Sequence, residues 1–121
     1  MQWEKLTSPE FTAAVKDPGV CVLSVGVIET HADHLPLGTD YLIGHKVASM
    51  AAEIEPAVVF PPYYFGQVHC ASIFPGTFTT PMPLLYQVLE HTVDEIGRMG
   101  FKKIIIYNAH GGNAKFLEFF A

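Results

Sequence analysis

Val20-Cys21-Val22-Leu23-Ser24-Val25-Gly26-Val27 runs through Ile28 straight into Glu29-Thr30-His31-Ala32-Asp33-His34-Leu35-Pro36-Leu37-Gly38-Thr39-Asp40. The first half has the length and β-branched content of a buried strand. The second half sets five potential metal ligands, Glu29, His31, Asp33, His34 and Asp40, where that strand ends, in a chain only 16% charged. In open parallel α/β sheets the loops leaving the carboxyl ends of strands line the ligand crevice, so a carboxylate–imidazole cluster there is placed for chemistry. Glu29 and His31, two residues apart, point the same way on extended backbone. Pro36 and Gly38 then turn the chain, and Asp40 returns to the same point from the start of the next helix. These donor types suit zinc, manganese or iron(II), and Asp40 is the kind of group that bridges two ions.

Outward from this stretch, helices alternate with strands. Ser8-Pro9-Glu10 starts a short helix to Lys16, with Ser8 as the cap, and Asp17-Pro18-Gly19 turns the chain into the first strand. Thr39 or Asp40 caps the next helix, whose Leu42, Ile43, Val47, Met50 and Ala51 form a stripe expected to be buried, with His45 and Lys46 off it. Glu55 to Phe60 is the second predicted strand, closed by Pro61-Pro62. The segment from Pro61 to Pro83 is longer than most connections in a compact domain, and long ordered loops are usually functional. Met82 to Met99 is a helix with Leu84, Leu85, Val88, Leu89, Val93 and Ile96 on its apolar face, ending at Gly100. Lys102 to Tyr107 is the third strand, and Asn108 to Asn113 its exit loop before another helix. The pattern predicts one domain over residues 1–121: a three-layer α/β/α arrangement around a mostly parallel sheet.

His110 occupies the exit loop of the third strand as Glu29 and His31 occupy that of the first. If those strands are neighbours, Glu29, His31, Asp40 and His110 converge on a metal. Gly111 and Gly112 let the backbone approach that centre and turn into the helix. His69 faces the site or serves the loop's structure, and His91 is read as solvated.

Seven basic residues are scattered through a chain of net charge −5, so nucleic acid is not an expected partner. No run approaches the roughly 18 apolar residues that would span a bilayer, and no membrane partner is expected. Cys21 and Cys70 lack the spacing of a zinc motif or disulfide framework and fit a reducing cytoplasm. Half of the residues are hydrophobic, nine of them phenylalanine, so part of the surface is expected to be covered by a further C-terminal half or by neighbouring subunits. Phe116 to Ala121 reads as a helix with no stop signal, in keeping with an incomplete C-terminus.

The stretch from Glu29 to Asp40 resembles the first signature of the creatininase (creatinine amidohydrolase) family, Glu-Gln-His-Gly-Pro-His-Leu-Pro-Leu-Gly-Thr-Asp. Phe74-Pro75-Gly76-Thr77 and Asn108-Ala109-His110-Gly111-Gly112-Asn113 resemble its later signatures, in order. The resemblance implies a creatininase-like fold and a two-metal centre, of zinc or manganese with iron possible, held by Glu29, His31, Asp40 and His110 with the aspartate shared. It places His34, His69, Gly111 and Gly112 on the substrate side or behind the ligands, and leaves the catalytic groups unassigned. Some members carry a glutamate where this chain has Gly112; others take the remaining carboxylate from a later segment. The upstream Tyr-Gly-x-Ser-x-Glu-His of many members is matched only in part by Phe65-Gly66-Gln67-Val68-His69. The activity implied is hydrolysis of a non-peptide carbon–nitrogen bond in a small cyclic amide or formamide, by a metal-activated water in a cytoplasmic homo-oligomer. The alternatives are a catalytically inactive metal-binding or oligomerising remnant of the fold, and a metal phosphoesterase. The latter would need basic residues near the metal loops, where only Lys115 occurs.

Overall fold

Three parallel strands, β1 (Val20–Val25), β2 (Val58–Val59) and β3 (Lys103–Asn108), form a sheet of order β2-β1-β3 in a computed structural model describing residues 1–121. The register pairs Cys21 with Val58 and runs β1 against β3 from Val20–Lys103 to Val25–Asn108. The two strands whose exit loops carry the candidate ligands are therefore neighbours, and they end level. Around them the chain forms α1 (Ser8–Lys16), α2 (Thr39–Ile54), α3 (Met82–Arg98) and α4 (Ala114–Phe120).

Alternation within β1 builds the layers. Leu23 and Val25 face Leu85 and Leu89 of α3 and Phe116 and Leu117 of α4, while Cys21 on the same face meets Ala14 of α1 and Ile96 of α3. Val20 and Val22, on the other face, pack with Ala48 and Ala52 of α2. Helices thus lie on both faces, as a parallel sheet requires.

Four details depart from expectation. Thr7, not Ser8, precedes the first helix: Glu10 reaches back to accept from the Thr7 N–H at 2.8 Å and from its hydroxyl at 2.7 Å, and these bonds hold the exposed Glu10 carboxyl below its usual pKa. β2 is only two residues long, because Pro56 has no N–H and Pro61-Pro62 closes its far end. Its outer edge is filled by the N-terminus, with the Val59 N–H donating to Met1 O at 2.7 Å.

The α2 stripe is the third departure. Ile43, Val47, Met50 and Ile54 are exposed, and Gly44, Ala48, Ser49 and Ala52 are buried instead, with the His45 ring close beside this face. The period was right and the phase was not. A Cβ on Gly44 would stand 2.5 Å from Ala109 Cβ and 2.6 Å from Ser24 Oγ, so the helix lies closer to the sheet than large side chains permit. Between α2 and the open face of β3 runs an apolar groove of about 540 Å³, lined among others by Val20, Val22, Val47, Ile105 and Tyr107.

Leu84 is the fourth: it is 50% exposed, one position off the line Leu85, Leu89, Ile96 that touches the sheet. Leu89→Ala is expected to cost about 2–5 kcal/mol in urea or thermal unfolding, from lost burial and the cavity left behind. Leu84→Ala should stay within about 0.5 kcal/mol. Equal costs would contradict this placement of α3.

Candidate metal centre

The loop after β1 is pinned at both ends. The Gly26 N–H donates to Tyr63 O at 3.0 Å, the Glu29 N–H to Leu37 O at 2.9 Å, and the Thr30 N–H to Thr77 Oγ1 at 3.1 Å. Ala32 takes a left-handed φ of 56° where the loop folds back. Gly38, rather than Thr39 or Asp40, occupies the N-cap of α2, and the Thr39 hydroxyl donates to Pro36 O. Asp40 is thereby released from capping, and its carboxylate points into the site.

Asp40 Oδ1 lies 2.9 Å from His31 Nε2, and Asp40 Oδ2 lies 2.7 Å from His110 Nδ1. Glu29 Oε1 stands 3.2 Å from His110 Nδ1 and 3.9 Å from His31 Nε2. One ligand atom from each of Glu29, His31 and Asp40 falls within a mutual 4.8 Å. The four side chains are between 10% and 23% exposed, sheltered yet open on one side. The four residues that the sequence singled out as ligands are thus brought together at the carboxyl edge of the sheet.

The donor set fits a divalent cation. The two carboxylates have only the two histidines as ion-pair partners, with no lysine or arginine among them. His31 Nδ1 lies 3.2 Å from Glu29 O, a carbonyl that can only accept. That contact favours the proton on Nδ1 and turns the Nε2 lone pair toward the Asp40 carboxylate, an orientation that calls for a proton or cation between them. Asp40 presents each oxygen to a different imidazole, as a carboxylate shared between two ions does. The His110 loop is fixed by the Asn108 side chain, whose Oδ1 accepts from the His110 N–H at 3.1 Å.

Beside this cluster opens a cavity of about 310 Å³, lined by Glu29, Gln67, His69, Cys70, His110 and Gly112 among others. A Cβ on Gly112 would meet His110 Nε2 at 2.4 Å, so the ring itself fills the space of a side chain there. Gly111, by contrast, faces open space. His34 and Asp33 stand exposed on the loop without side-chain hydrogen bonds, and His69 is exposed on the cavity wall. Sequence reasoning did not single out Gln67, Cys70 or Asn108 as site residues. Asn108 had a readable signal, an Asx residue at a strand end before a glycine turn. Cys70, inside an irregular segment, had none.

A parallel α/β layer with imidazoles and carboxylates gathered on its carboxyl edge defines the broad class, that of α/β proteins whose polar clusters lie at strand ends. Within that class the chain belongs to the creatininase family, since the family model described as Creatininase, creatinine amidohydrolase, matches residues 4–121. It is 29% identical over 120 residues to creatinine amidohydrolase of Pseudomonas putida, covering 93% of this chain and 46% of that protein. It is 35% identical over 105 residues to the mycofactocin precursor peptide peptidase of Mycolicibacterium smegmatis (strain ATCC 700084 / mc(2)155), covering 79% of this chain and 41% of that one. The crystal structure of creatinine amidohydrolase (creatininase) superposes with a TM-score of 0.90 at 27% identity, over 97% of this chain and 48% of that chain. Creatininase is also known in a manganese form and as a mutant of zinc–zinc type. The chain thus spans about half the length of the relatives it matches.

Proposed function

We propose that this chain carries the cation-binding part of an amidohydrolase that cleaves a non-peptide carbon–nitrogen bond in a small cyclic amide or formamide. The observation that carries the proposal is the placement of Asp40, whose two oxygens face His31 and His110 with Glu29 alongside. Zinc or manganese fits these donors. Bound there, a divalent cation polarises an amide carbonyl and lowers the pKa of water toward neutrality. The chain's own residues do the rest. Glu29, His31, Asp40 and His110 hold the charge in a sheltered pocket, the Glu29 carbonyl orients the His31 imidazole, Asn108 fixes the backbone of His110, and the adjoining cavity is large enough for a small amide.

A cytoplasmic homo-oligomer belongs to the same proposal. Its support is the exposed apolar face of α2 and β3, for assembly, and two free cysteines, which fit a reducing compartment.

The test is release of amine or ammonia from a panel comprising creatinine, a linear formamide and a peptide, with zinc or manganese added. Turnover of a non-peptide member that stops on chelation and returns with metal is expected. Peptide cleavage alone would reject the substrate class. One observation favours an inactive metal-binding remnant, namely that no carboxylate follows His110 at Gly112. Tight metal binding with no turnover of any panel member would decide for it.

A further inference from the structure

The outward face of α2 carries an apolar stripe that neither the sheet nor the metal centre uses. Ile43, Val47, Met50 and Ile54 stand 58%, 45%, 52% and 86% exposed, and their spacing of four, three and four residues is that of a coiled-coil seam. Single exposed apolar residues are ordinary, but an unbroken stripe beside the open groove against β3 is a surface suited to contact. Along one flank of the stripe lie Lys46 and Glu53, both exposed and neither in an ion pair. They stand about two turns apart, beyond the spacing of three or four residues at which helix side chains pair. No opposite charge lies three or four residues from either one, so the helix itself offers them no partner.

We propose, resting on the homo-oligomer reading above, that two copies of this chain pair through α2, helix against helix and antiparallel, about a two-fold axis between Ala48 and Ser49. Such an axis makes the surface its own complement, so each contact occurs twice. In this register Ile43 meets the partner's Ile54 and Val47 meets the partner's Met50, which closes the stripe on itself. Lys46 then flanks the same layer as the partner's Glu53, and Glu53 the same layer as the partner's Lys46. A parallel pairing would set Lys46 beside the partner's Ala51 and leave both charges unpaired, so charge decides the direction. The other flank carries Gly44 and Ala51, small enough for the two helices to approach closely.

Sedimentation velocity over a concentration series reads the pairing directly. The unaltered chain should sediment at about twice its 13.3 kDa. Met50→Glu, which puts a charge in the apolar seam, should weaken association by roughly a hundredfold or more. Lys46→Glu and Glu53→Lys should each weaken it roughly tenfold, since either one sets like charges together on both sides of the axis. An equimolar mixture of these two variants should pair again as a heterodimer, because one then carries two glutamates and the other two lysines at the facing positions. All three positions are exposed in the single chain, so the far-ultraviolet circular dichroism of each variant should match the parent's. Association undiminished in Met50→Glu, or a mixture that fails to pair where each variant alone dissociates, overturns the antiparallel α2 pairing and leaves the homo-oligomer reading standing. An unaltered chain that stays monomeric gives the stripe to a different occupant and overturns both.

Discussion

Asp40→Ala is expected to remove bound zinc while leaving the far-ultraviolet circular dichroism and cooperative unfolding close to those of the parent. Asp40 is the one side chain hydrogen-bonded to both imidazoles, at 2.9 Å and 2.7 Å, so its loss takes a donor from each side of the centre at once. The affinity should drop by more than the roughly 10–100-fold that follows loss of an outer-shell partner. The fold should survive because Gly38 rather than Asp40 caps α2, and the helix packs through Gly44, Ala48 and Ala52. Titration calorimetry with zinc, run beside urea unfolding, separates the two effects. Undiminished stoichiometric zinc in Asp40→Ala would remove Asp40 from the centre.

Gly44→Val should damage both stability and the site, through packing alone. The added Cβ would stand 2.5 Å from Ala109 Cβ and 2.6 Å from Ser24 Oγ, the residues that join α2 to β1 and to the His110 loop. Overpacking of this kind costs about 1–3 kcal/mol. Relief by lifting α2 moves Asp40, four residues upstream on the same helix, away from His110. Zinc affinity should therefore fall together with the unfolding midpoint, although residue 44 touches no ligand atom. A destabilised Gly44→Val protein with unchanged zinc affinity would show that helix position and site geometry are uncoupled.

The parts of the molecule that sequence made legible are those set by local chemistry. β-Branched runs marked β1 and β3, and the density of carboxylates and imidazoles after β1 marked where polar side chains gather, because few other reasons bring such groups to a strand end. Glu29, His31, Asp40 and His110 came together once the two strands proved to be parallel neighbours ending level. The residues that escaped are set by tertiary approach. Which face of α2 is buried depended on how near the sheet it lies, and small residues won that contact although larger apolar ones shared the period. Leu84 and Leu85 have nearly the same transfer free energy, and only the angle of α3 on the sheet tells them apart. β2 shrank to two residues because prolines removed its donors, and Cys70 reached the cavity through an irregular segment with no period to read.

The most direct measurement is a crystal structure of the zinc-soaked protein with anomalous differences recorded at the zinc edge. An anomalous peak is expected among Glu29, His31, Asp40 and His110, with nitrogen and oxygen ligands at about 2.0–2.2 Å. A zinc peak elsewhere on the chain, with Asp40 still bonded to both histidines and no density between them, would contradict it.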